Sequence, residues 1–189
     1  ILMKKAMYSA DGHSTFSSNQ VATLRILFAS LALLPFGIRA FKALDFRKDI
    51  LSFSIVAICG NLAPAFLFTY AETGISSGLA GMLNSITPIF TILIAIFIFK
   101  DKMNYRQFVG TAIGFIGVGL LLYFGKQNSI EGEWSHIISV LGATLCYAIS
   151  LSVIRYKLSH YKSLDIAAIA FLLFLLPSLV LFFTEDTLN

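Results

Sequence analysis

The chain has 189 residues, of which 57% are hydrophobic and 13% charged, with a formal net charge of +4. A soluble domain carries about 25% charged residues; a mean hydropathy of +0.82 points instead to a polytopic membrane protein, all-α because helices satisfy their backbone hydrogen bonds internally in lipid. The two cysteines, Cys59 and Cys146, fall inside apolar spans and read as packing residues, silent on redox compartment.

In chain order, residues 1–9 form an apolar–basic stretch that reads as the tail of a helix whose front is missing, without a signal-peptide pattern. A polar link leads to the first full span, about Gln20 to Ile38. It holds Arg25, roughly 7 Å inside its edge and so within snorkelling reach of the surface. After the charged loop Arg39 to Asp49, the second span covers Ile50 to about Ala71 and places Ser54, Ala57, Asn61 and Pro64 three or four residues apart. Proline has no N–H, so Pro64 releases the carbonyl of Gly60 beside Asn61. Glu72 follows, in the short turn to the next span, and reads as a solvated surface carboxylate.

The third span, Ile75 to Phe99, runs 25 residues without a charge. As a helix it reaches about 37 Å, enough to cross a hydrocarbon core of about 30 Å with a tilt or bend to spare. Ser77, Gly81, Asn84, Pro88, Thr91 and Ala95 recur along one stripe. Facing lipid, the polar members of that stripe would cost several kcal/mol each, so the stripe turns toward protein or water. Pro88 releases the carbonyl of Asn84 as Pro64 does that of Gly60. Both spans thus carry an asparagine shortly before a proline. Small and polar residues of this kind also serve plain helix packing, so a packing face and a solute pathway are both open at each position.

Asn104 is a suitable N-cap for the fourth span, Tyr105 to Phe124. Gly110, Gly114 and Gly117 there, with Gly81 before them, read as helix-packing positions. The fifth span, Ser135 to Ile154, aligns Ser139, Ala143, Cys146 and Ser150, with Tyr147 alongside. The sixth covers Asp165 to Phe183. The expected architecture is therefore a transmembrane helix bundle of six full spans plus an N-terminal helix stub.

Because successive loops alternate sides, the cations divide ten to four. Arg39, Lys42, Arg47, Lys48, Lys100, Lys102, Arg106, Arg155, Lys157 and Lys162 share one side; Lys4, Lys5, Lys126 and Arg25 share the other. The richer side is expected to be cytoplasmic.

The run SSGLAGMLNSITPIFTILIAIFIFKDKMNYRQFVGTAIGFIGVGLLL, with its S-x-T-P-x-F-T and Q-x-x-G-x-x-x-G-F-x-G-V segments, resembles the EamA-type transporters of the drug/metabolite transporter superfamily. ATLRILFASLALLP, including Arg25, resembles that family's second helix, whereas Asp101 stands where the family usually has Glu. The resemblance implies ten helices in two inverted five-helix halves that move small metabolites by alternating access. It would make residues 1–124 a first half with a truncated first helix, and residues 134–189 the start of a second half, the last three helices being absent. The similar apolar–basic tails ILMKKAMYS and SVIRYKLSH, separated by an odd number of spans, agree with such an inversion.

The expected function is secondary transport of small organic solutes (metabolites, amino acids or drugs) across the cytoplasmic or inner membrane. Asn61, Asn84, Ser85, Thr87, Thr91, Tyr147 and Ser150 are the candidate substrate-binding residues, shaped by Pro64 and Pro88. Packing stripes alone would also serve a non-transporting scaffold or regulator, which is the alternative. An enzyme is disfavoured: His13, His136 and His160 lie in loops or at helix ends, and no metal-ligand spacing or Gly-x-Ser-x-Gly occurs. No cofactor or metal is expected. The expected partners are a small-molecule substrate and membrane lipids, with a homodimer left open. Nucleic acid is not expected, since the basic loops are short and follow from topology.

Overall fold

The computed structural model describes residues 17–42, 46–102, 104–125 and 134–185. The regular elements among them are all helical: α1 (Ser18–Phe41), α2 (Phe46–Ala57), a π-helical turn (Ile58–Leu62), α3 (Ala63–Gly74), α4 (Ser77–Asn84), α5 (Thr87–Phe97), α6 (Tyr105–Gly125), α7 (Trp134–Lys157) and α8 (Ser163–Glu185). Among the described residues, five stretches are long and apolar enough to cross a membrane: Asn19–Phe41, Lys48–Gly74, Ser77–Phe97, Trp134–Lys157 and Ser163–Val180. The protein is thus an all-α polytopic bundle. The N-terminal stub and the loop of residues 126–133 lie outside the described residues.

Local chemistry sets several helix ends. Ser17 and Gln20 form a capping box at the start of α1, each side chain bonding the other residue's backbone N–H. Ser76 caps α4 through the N–H of Leu79. At α6, Gln107 Oε1 accepts the Asn104 N–H at 3.0 Å. Lys100 adopts a left-handed conformation, φ 52°, that lets the Asp101 N–H return to the Ala95 carbonyl at 3.0 Å. That backbone bond fixes Asp101 at the end of α5.

Helix α7 is the central post, packing against α2, the π turn, α3, α4 and α5, while α1 lies along α8. Ser30 Oγ donates to the Phe171 carbonyl at 2.9 Å across the α1–α8 contact, an interhelical bond of a type that contributes about 0.6–2 kcal/mol in membranes. Gly37 lets the same pair close up: a Cβ there would sit 3.1 Å from the Ala168 carbonyl oxygen and 3.3 Å from Leu172 Cβ. One core gathers Phe53, Leu158 and Ile169 at the α2, α7 and α8 ends. A second gathers Ala71, Ile75, Leu79, Ala80, Leu83 and Val140 toward the start of α7.

One expectation changes. Glu72 is not a solvated loop residue. Helix α3 continues through Gly74, and Glu72 lies seven residues beyond Ala65, on the stripe that packs on α1. It is 8% exposed, and its Oε2 is buried with no hydrogen-bond partner among the described residues. The four expected packing glycines make no close approach: a Cβ at Gly81, Gly110, Gly114 or Gly117 meets nothing within 4 Å among the described residues. For Gly110, Gly114 and Gly117 the reason is the edge position of α6 among the described residues, where it touches α4 and α5 only slightly. The close approaches fall instead at Gly37, Gly60 and Gly74.

Candidate functional site

Two helix interruptions face each other at the middle of the bundle. In the second span the α-helix widens into the π turn before Pro64, and the Ala63 N–H bonds the Ile58 carbonyl. The extra residue per turn accommodates the missing proline donor, and such bulges often mark functional sites. Pro64 itself is buried behind the turn, while Gly60 and Asn61 face inward from it.

In the third span the expected single helix is two, separated at Ser85 and Ile86, with Pro88 in the first turn of α5. The Asn84 carbonyl that Pro88 cannot serve accepts the Thr87 hydroxyl at 2.7 Å. Thr87 Oγ1 also lies 3.2 Å from Asn84 Oδ1. Ser85 Oγ donates to the Met82 carbonyl at 2.6 Å, and Thr91 Oγ1 to the Thr87 carbonyl at 2.9 Å. The Thr87 hydroxyl therefore caps the carbonyl that Pro88 leaves without a donor.

Between the two interruptions and α7 lies a cavity of about 970 Å³. Asn61, Asn84, Ser85, Thr87, Thr91, Tyr147 and Ser150 all line it, as does Pro88. The structure brings all seven sequence-derived residues to one space. Tyr147 sits about 20 Å along α7 from Trp134, near mid-span at 1.5 Å per residue. Its ring packs on Phe68, centroids 5.9 Å apart. Ser150 is buried against Gly60: a Cβ on that glycine would fall 2.5 Å from Ser150 Oγ. Helix α8 supplies a wall that the sequence reading left out, through Ser163, Ala167 and Ala170. Their three-and-four spacing was a visible but faint signal. None of the described residues lining the cavity carries a charge.

The cavity is confined to one half of the bundle's depth. Its lining runs from Asn61, Asn84 and Tyr147 toward Ile154 and Ser163. The opposite half holds the packed core of Ile75, Leu79, Leu83 and Val140. At the cavity's own end, Asp101 Oδ2 accepts from the Tyr156 hydroxyl and lies 3.4 Å from an Arg155 guanidinium nitrogen. Phe99 stacks on Tyr156 at 4.2 Å. The Arg155–Asp101 pair is exposed, and pairs of that kind contribute about 0–1 kcal/mol.

The sequence profile of the EamA-like transporter family matches residues 3–123 of the chain. The chain belongs to the EamA-like transporter family. It is 27% identical over 142 residues to an uncharacterized transporter, YdfC, of Bacillus subtilis, covering 75% of this chain and 44% of that protein. It is likewise 27% identical over 167 residues to a probable terminal-alkyne amino-acid exporter of Streptantibioticus cattleyicolor, covering 82% of this chain and 54% of the exporter. An uncharacterized inner membrane transporter, YicL, of Salmonella typhimurium is 32% identical over 124 residues, covering 62% and 41%. The EamA chain described here thus spans about half the length of the curated relatives it matches. No solved structure matches it. Within this EamA chain, the family profile covers α1 to α5 and most of α6, while α7 and α8, which complete the cavity wall, lie beyond it.

Proposed function

We propose that this chain forms the solute-binding wall of a secondary transporter that moves small organic solutes across the cytoplasmic membrane by alternating access. The observation that carries the reading is the uncharged cavity lined by Asn61, Asn84, Tyr147 and Ser150 at the meeting of two interrupted spans. Membrane transporters commonly place solute sites at mid-depth beside broken helices. Carboxamides and hydroxyls fix orientation there without the desolvation cost of a buried charge. A cavity on one half and an apolar plug on the other suit a cycle in which access alternates. Residues 1–124 would form one repeat and residues 134–189 open its inverted counterpart. The amino-acid exporter among the relatives supports small organic solutes as the cargo class.

The test is uptake or efflux by the full-length protein carrying Asn84→Leu. Transport should collapse while membrane insertion, measured on the same cells, is retained. Unimpaired transport in that variant would remove the site assignment.

A further inference from the structure

The seam between α5 and α7 does not end with the large cavity. Thr91 and Ile92 line both that cavity and a recess of about 30 Å³, whose far wall is formed by Asp101, Lys102, Gln107 and Arg155. That volume exceeds the roughly 10–15 Å³ of accessible space that one water needs, so the recess admits a small polar head. Two cations against one carboxylate make the wall net positive. The body of a bound solute and its charged end would therefore meet different surroundings: an uncharged chamber, then a small cationic recess along the same seam.

Arg155 is stationed at this recess with little to hold it to Asp101. Its contact is through a single nitrogen at 3.4 Å, beyond the 2.7–2.9 Å of a good charge-assisted bond. Asp101 Oδ2 also accepts from Tyr156, and its backbone is pinned to Ala95. Asp101 therefore stays in place, with a donor, when Arg155 leaves. The guanidinium lies 5.2 Å from the Tyr156 ring centre, a contact that orients it without consuming its N–H donors. A planar fork with donors to spare matches a carboxylate through two parallel bonds.

We propose that the recess is a carboxylate subsite, in which Arg155 exchanges Asp101 for the carboxylate of a solute whose body lies in the large cavity. This rests on reading that cavity as a solute site. Its ligand class is a small monocarboxylate with an uncharged body.

The test uses the full-length protein in membrane vesicles, with Cys59→Ala, Cys146→Ala and Thr91→Cys. The labelling rate of the new cysteine by membrane-permeant N-ethylmaleimide is measured with butyrate or with its neutral match, butyramide. Butyrate should slow labelling by roughly fivefold relative to butyramide, the scale of one charge-assisted contact on the tenfold-per-1.4 kcal/mol relation. Arg155→Gln should abolish the difference. Asp101→Asn, which removes the competing charge and leaves Tyr156 an acceptor, should enlarge it. That opposite sign keeps the idea testable even if the Arg155 variant fails to fold. Equal protection by the two probes, or no gain in Asp101→Asn, overturns the carboxylate subsite alone. A cysteine that does not label before any probe is added, yet labels after denaturation, overturns the solute cavity as well.

Discussion

Gly60 and Ser150 touch so closely that a single methyl group on the glycine would fall 2.5 Å from the serine Oγ and 3.3 Å from its Cβ. The contact joins the π turn to α7 at the cavity wall. Gly60→Ala should lower stability by roughly 1 kcal/mol, the cost of modest overpacking. Adding Ser150→Gly should restore much of that loss. Thermal unfolding in detergent of both single variants and the double variant gives the coupling; strictly additive losses would mean that the two residues do not share the contact.

The Thr87 hydroxyl stands in for the N–H that Pro88 lacks. Thr87→Val removes the donor from the Asn84 carbonyl, which is exposed, and should destabilise by about 0.5–1.5 kcal/mol, the net contribution of an ordinary hydrogen bond. Thr87→Ser keeps the donor and should remain near the parent. A Val variant that melts with the parent would show that the carbonyl finds water.

Glu72 is buried with one carboxylate oxygen unpartnered among the described residues. Glu72→Gln keeps the shape of the side chain and is expected to raise stability by about 1 kcal/mol, since burying a carboxyl oxygen without a partner is a cost. A clear loss of stability in the Gln variant would reveal a partner for the carboxylate.

Tyr161 reaches Asp49 Oδ2 at 2.7 Å while its ring meets Phe53 edge to face, centroids 5.3 Å apart. Tyr161→Phe keeps the ring contact and loses the bond to a charged acceptor, which typically contributes about 1.5–3 kcal/mol. The lower end applies here, because His160 Nε2 stands 3.9 Å from the same oxygen. An Asp49→Asn background should shrink the effect; the same loss in both backgrounds would assign it to packing.

The polar lining was legible in the sequence because hydrocarbon penalises every misplaced carboxamide. Asn61 and Asn84 had few places to go but inward, and Pro88 announced a break because its missing donor cannot be hidden. The α8 wall was harder to read, since alanines in an apolar helix contrast little with their neighbours. Glu72 was misjudged for a different reason: a residue at a helix end is wet or dry according to where the helix stops, and α3 runs two residues further. The edge position of α6, which leaves its glycines without close neighbours, depends on tertiary arrangement and not on any local pattern.

The central placement of α7 has a consequence for biogenesis. Spans enter the bilayer in the order of synthesis, so α1 to α5 arrive before the helix on which α2, α3, α4 and α5 all lean. Ribosome-stalled chains ending at Gly125 should therefore hold loosely associated hairpins, open to protease and to chaperones. The stable assembly should snap shut only once Trp134–Lys157 has emerged.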